Sequence, residues 1–374
     1  MTTENYDLKC TFYTDALARN IAHAREVCGA ELAAVVKADA YGFGLNRALP
    51  VMKAAGIKSY FVQDVIDGID ARALLGAEAD IYVMSGAISG QYDALVKHDL
   101  IPAIVSVPQL SAWREFSAGR GLRTALHFDT GMNRTGILSE EFVDFGAETR
   151  GLDVRLYMSH LYDSGRRNQN SLRQKERFDA LLARLPRLPA SLAATGGILV
   201  QGREYDYDMA RVGHALYGLV RGFEPVVKVE ARILQTRDVA KGDAVGYSGT
   251  YRAPKDMRVA VLCVGYKDGY PRDLSHTNTW RDWLRSRMHS GTGFTRSWVV
   301  IGGYRCPLVG IVSMNNITVD VSSVPADVLA GVEWAEILGE GADWRHFFSA
   351  SGFRPVDMVL GLLRPNKNSL HLTV

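Results

Sequence analysis

The chain has 374 residues, 47% apolar and 22% charged, with a formal net charge of +2. That is an ordinary soluble composition, with no excess charge to recruit nucleic acid or an anionic membrane. Four scattered cysteines (Cys10, Cys28, Cys263, Cys306) form no Cys-x-x-Cys pair, so they suggest neither a zinc site nor a disulfide framework. The polar start and the lack of a bilayer-length apolar run give the expectation of a cytoplasmic protein.

Eight short apolar runs recur between helical patterns. They are Leu32–Lys37, Ser59–Asp64, Ile81–Ser85, Ile101–Ser106, Thr124–Asp129, Arg155–His160, Ala190–Thr195 and Met209–Gly213. One intervening stretch, Ser171–Leu185, places Phe178, Leu181, Leu182 and Leu185 on one helical face. Alternating strand and helix signals imply a parallel sheet, and eight such units predict a closed (β/α)8 TIM-like barrel over residues 1–225. Beyond it, Val226–Val239, Met257–Gly265 and Trp298–Ser323 are rich in β-branched and aromatic residues, with turns at Lys241-Gly242-Asp243 and Gly302-Gly303. Residues 226–374 therefore read as a mainly antiparallel β domain. A basic, Trp-bearing excursion fills residues 275–297.

Active sites in such barrels lie at the C-terminal ends of the strands. Four of the runs end in chemically capable residues: Lys37, Asp129, His160 and Thr195. A lysine closing the apolar run Ala33-Ala34-Val35-Val36 is placed to be desolvated, which favours the neutral, nucleophilic amine of a Schiff-base lysine. The loops after strands seven and eight carry Thr195-Gly196-Gly197 and Arg211-Val212-Gly213-His214. A hydroxyl beside glycine-exposed N–H groups can cradle a phosphate monoester. Taken singly, each has a structural explanation: a solvated strand-end lysine, a buried histidine, a surface arginine, a Gly-Gly turn. Together they describe a pocket for an aldehyde-bearing phosphate, pyridoxal phosphate.

Six ordered motifs carry a resemblance. They are Val36-Lys37-Ala38-Asp39-Ala40-Tyr41-Gly42, Asp129-Thr130-Gly131-Met132-Asn133-Arg134, Ser159-His160, Arg211-Val212-Gly213-His214-Ala215-Leu216-Tyr217-Gly218, Gly265-Tyr266-Lys267-Asp268-Gly269-Tyr270-Pro271-Arg272, and Val309 to Asp320 around Met314. In these the chain resembles the alanine racemase family of fold-type III pyridoxal-phosphate enzymes, nearly end to end. The resemblance implies D-alanine biosynthesis by a homodimer with shared active sites. Lys37 would hold the cofactor and act as one base, with Tyr266 of a second copy as the other. Tyr41, Thr195, Gly213 and His214 would take the phosphate, and Arg211 the pyridine nitrogen. Arg134 would take the phenolic oxygen and support the substrate carboxylate, with the N–H of Met314. His160 would supply a favourable field beside Arg211.

The chain departs from the family's pattern at several positions. His127 stands where the family often has a lysine that can be carbamylated. Asn315 replaces an aspartate, Ile311 an arginine, and Val356 a tyrosine that narrows the pocket. These departures keep open a racemase of another or broader range, serine for example. A decarboxylase of the same fold type and a non-catalytic pyridoxal-phosphate carrier are the other readings.

Overall fold

The computed structural model describes residues 7–142, 144–272, 275, 297–342 and 370–373. The chain divides into two compact units. One holds Thr14–Gly218 with Gly222–Glu224, and the other holds the first thirteen residues, Leu219–Arg221 and Pro225 onward.

The first unit is a parallel barrel. Its strands are β2 (Glu31–Val35), β3 (Ser59–Val62), β4 (Asp80–Val83), β5 (Ile101–Ile104), β6 (Leu122–His127), β7 (Leu152–Met158), β8 (Ala190–Ser191) and β9 (Met209–Val212). They neighbour one another in chain order, and β2 also pairs with β9. The ring closes where Arg211 N–H donates to Ala193 O at 3.0 Å and Ala194 bridges Arg211. These strands are short and apolar because both faces are covered; every residue of β3, β5 and β9 is buried. All eight runs read from the sequence form strands here. The seventh run shortens to two ladder residues, and its continuation to Thr195 is held by the single bridge. The helix expected over Ser171–Leu185 spans Gln169–Leu182, with Phe178 and Leu181 buried.

The second unit is a mainly antiparallel sheet built on β10 (Val227–Val239), where Val227, Val229 and Ala231 alternate inward. β10 pairs with β13 (Met257–Leu262), β17 (Trp334–Leu338) and β1 (Leu8–Phe12), and β1 also pairs with β18 (Leu370–Thr373). β14 (Trp298–Ile301) and β15 (Tyr304–Pro307) form the hairpin whose turn is Gly302-Gly303, with φ 57 and 86. Two positive φ angles in a row suit a two-residue hairpin loop. β16 (Ile317–Asp320) pairs with β13, and β11 (Ala244–Val245) with β12 (Tyr251–Arg252). One correction to the division at residue 225 follows. Residues 8–12, grouped with the barrel in the sequence reading, are a strand of the antiparallel sheet. Leu8, Cys10 and Phe12 alternate inward, but only a pairing with distant β10 reveals where that face belongs.

The excursion at 275–297, apart from its end residues, and Val356 lie outside the described residues. Among the described residues, no helix is long and apolar enough to cross a membrane.

Candidate active site

Lys37 comes two residues after the end of β2. Immediately after it, Ala38, Asp39, Ala40 and Tyr41 take φ of 54, 52, 53 and 60. This is a left-handed turn made without glycine, in a region that costs an L-residue roughly 1–2 kcal/mol. Strain of this kind persists only where the surroundings over-determine it. Here Ala38 N–H donates to Asp67 Oδ2 at 2.9 Å, and Leu45 N–H donates to Asp39 Oδ1 at 2.6 Å. The Tyr41 ring packs on Tyr217, with centroids 4.9 Å apart. The Lys37 amine is lowered below the ordinary lysine range, chiefly by burial and then by the charge of Arg134. A larger fraction of it is therefore free base at neutral pH.

At the ends of β8 and β9 the chain builds a cradle. Thr195 Oγ1 accepts N–H donation from Gly213 at 3.3 Å and from Ala215 at 3.4 Å. A methyl group at position 213 would collide with the Tyr41 hydroxyl, so only glycine lets the two approach. The Tyr41 ring meets His214 edge-on at 5.5 Å. Tyr41, Thr195, Gly213 and His214 are thus brought together, as the sequence reading expected of a phosphate site.

Arg211 is buried across the barrel floor without a carboxylate. Nη1 donates to Ser191 O at 2.9 Å and to Ser191 Oγ, and Nη2 donates to the carbonyls of Ser159 and Leu192. Its Nε–H has no acceptor among the described residues. Burial lowers the guanidinium to about 10, still charged at neutral pH. His160 is pushed down to about 3 by burial and then by Arg211, with smaller pushes from His127, Arg134 and Lys37. His127, at the end of β6, is pushed down to about 4 by burial and then by Arg211. Both imidazoles are neutral at physiological pH. Nδ1 of His127 is buried and has no partner among the described residues. Arg134 is exposed on a loop whose base is tied to β6, where Ile137 N–H donates to His127 O at 2.8 Å. Asp129 Oδ1 shapes that loop by accepting the Gly131 and Met132 N–H groups.

In the sheet unit, Tyr266 opens a short helical turn, Tyr266–Asp268, and the Arg272 guanidinium sits 4.8 Å from its ring centroid. Tyr266 N–H donates to Ser313 O and Lys267 N–H to Met314 O, so the two motifs of this unit are adjacent. A Cβ at Gly265 would strike the carbonyls of Ser313 and Met314, which explains the glycine before Tyr266. Met314 is 55% exposed, and its N–H has no acceptor among the described residues.

Residues 13–221 match the family model for the alanine racemase N-terminal domain, and residues 226–362 the C-terminal one. An alanine racemase of Brucella suis is 35% identical over 341 residues, covering 84% of this chain and 81% of that protein. An alanine racemase of a Methylobacterium species is 36% identical over 353 residues, covering 91% of each. The chain belongs to the alanine racemase family. The fold matches the crystal structure of the Bartonella henselae alanine racemase, which has covalently bound pyridoxal phosphate. The TM-score is 0.85 at 23% identity, over 98% of this chain and 99% of that one.

The barrel of this alanine racemase family member suits that cofactor. A depressed lysine can bond its aldehyde carbon, a Tyr-Thr-Gly-His cradle can take its phosphate, and an uncommitted Arg211 Nε–H can meet its ring nitrogen. Three residues that support these groups escaped the sequence reading. Ser191 carries Arg211, and no pattern marks it. Tyr217 packs on Tyr41 but was read only as part of a motif. Asp67 holds Ala38, but its spacing from Asp64 signals only a helix start.

Proposed function

We propose that this chain is a pyridoxal-phosphate-dependent alanine racemase that works as a homodimer. Lys37 and Tyr266 of a second copy would be its two bases. The observation that carries the proposal is the end of the barrel, where Lys37, Arg134 and Arg211 meet two neutral imidazoles beside the cluster of Tyr41, Thr195, Gly213 and His214. When bound, the cofactor supplies an electron sink that acidifies the α-proton of an amino acid joined to it. The protein's own groups do the rest.

Lys37 Nζ would hold the cofactor and, once free of it, would be an amine with a lowered proton affinity. It takes or returns the α-proton on one face of the carbon, and Tyr266 Oη serves the opposite face. Inversion requires both, because a single base returns the proton to the face it left. Arg211 has only donors and stays charged, so it would orient the ring nitrogen without protonating it. Arg134 and the Met314 N–H would receive the substrate carboxylate, and His160, neutral and beside Arg211, leaves that cationic field undivided.

The test is production of D-alanine from L-alanine in deuterated water, with absorbance recorded on the purified protein. The expected results are a visible cofactor band and solvent deuterium at the product's α-carbon. Tyr266→Phe should keep the colour and lose inversion by about 10²- to 10⁴-fold. Colour without inversion of any amino acid in a panel that includes serine would leave only a carrier or a decarboxylase.

A further inference from the structure

We propose that Asp67 is a positioning residue for Lys37, acting through the backbone of the left-handed turn; this deepens the reading above and rests on Lys37 holding the cofactor. Asp67 lies half-buried in the first turn of the helix Val65–Leu75. None of the groups assigned to substrate or cofactor is its partner. Its Oδ2 accepts Ala38 N–H at 2.9 Å. The carboxylate is aimed from a fixed base, because Asp64 Oδ1 caps that helix by accepting the N–H groups of Ile66 and Asp67, both at 3.0 Å.

A carboxylate in the first turn of a helix has an ordinary use, which is to offset the positive end of the helix. That use requires a charge but no bond to another segment. Asp67 instead reaches out to the start of a turn whose four residues, Ala38 to Tyr41, all have positive φ without glycine. The other non-glycine residues with positive φ among the described ones occur singly. Backbone bonds close the turn, from Ala40 N–H to Val36 O and from Gly42 N–H to Ala38 O, both at 2.9 Å. The other side-chain restraints act further along it: Asp39 on Leu45 N–H, and Tyr41 on Tyr217. Among these side chains, Asp67 is the one that holds the N–H of the residue bonded to Lys37. If that grip is released, the turn can relax toward ordinary backbone angles, and the lysine leaves its direction of approach.

The test uses the holoenzyme and four forms: Asp67→Ala, Asp67→Asn, Ala38→Gly and the double variant Asp67→Ala/Ala38→Gly. Misplacing a reacting group by about 1 Å can cost on the order of 10²-fold, so Asp67→Ala should lower kcat by roughly 10- to 100-fold with KM nearly unchanged. It should also weaken the visible band of Lys37-bound cofactor. Asp67→Asn keeps a carbonyl acceptor and should retain most activity. Ala38→Gly should recover a large part of the loss in the double variant, because glycine adopts the left-handed region without a steric penalty. Wild-type kcat in Asp67→Ala overturns the proposal. So does equal loss in the Ala and Asn variants with no recovery by glycine, which is the mark of a helix-end charge.

If Asp67→Ala does not fold, amide exchange in the wild type decides. The Ala38 amide should be protected, and fast exchange there overturns the proposal. A colourless, inactive wild type would instead remove the underlying function reading, whereas a coloured, racemising wild type with an indifferent Asp67 removes this inference alone.

Discussion

The two ends of the barrel differ in how they treat charge. At the N-terminal end, a cavity of about 480 Å³ is lined by Glu31, Ser59, Asp80, Arg123, Asp153 and Arg155. Apart from exposed Lys58, which also lines it, its charged groups are held by partners. Arg123 bonds Asp80 and Asp99, Arg155 bonds Asp153, and Ser59 donates to Glu31. At the C-terminal end, Lys37, Arg134 and Arg211 have no carboxylate partner among the described residues, and one His127 nitrogen has no partner at all. Uncompensated cations are what a dianionic phosphate and a substrate carboxylate require. The pairing of the charged groups distinguishes the two ends.

The comparison breaks first at Lys37. Lys37→Ala should abolish the cofactor band and lower kcat/KM by about 10⁴-fold or more, measured as D-alanine formed from L-alanine. Next comes Gly213→Ala, whose added methyl meets the Tyr41 hydroxyl. Its cofactor dissociation constant should rise by roughly 10- to 100-fold in an absorbance titration, about 1.4–2.8 kcal/mol.

A separate effect concerns acid stability. His127 is about 4 in the native state, below its ordinary value of 6.5, so the unfolded chain binds the extra proton first as pH falls. Stability from this residue is complete above pH 6.5 and is lost as pH drops toward 4, by roughly 3 kcal/mol. His127→Gln should flatten the melting-temperature curve between pH 6.5 and 4, and an unchanged slope would contradict the assignment. The smallest effect lies at the opposite end. Arg123→Ala should lower the melting temperature by a few degrees, on the order of 1 kcal/mol, while kcat and KM stay within about two-fold. A large kinetic effect of Arg123→Ala would erase the distinction between the ends.

Much of this was legible in the sequence. The eight strands were visible because parallel strands buried on both faces leave continuous apolar runs, as in Ala33 to Val36. The cradle was visible because a phosphate needs a hydroxyl and N–H groups, which Thr195 and Gly213 announce; that the Gly213 N–H donates to Thr195 Oγ1 was not. The left-handed turn was not, since Ala38-Asp39-Ala40 has the composition of an ordinary helix and no glycine marks the reversal of hand. Tertiary restraints impose it against local preference. Strand β1 was equally opaque, because its register depends on β10, far along the chain. Substituted positions such as His127 could be seen, but not their consequence, an imidazole kept neutral by burial and then by the charge of Arg211.

The most direct measurement is borohydride reduction of the coloured protein followed by peptide mapping. The account predicts a single pyridoxyl-modified peptide, with the modification on Lys37 ahead of Ala38. Modification of a different lysine, or none in a protein that still interconverts alanine enantiomers, would contradict it.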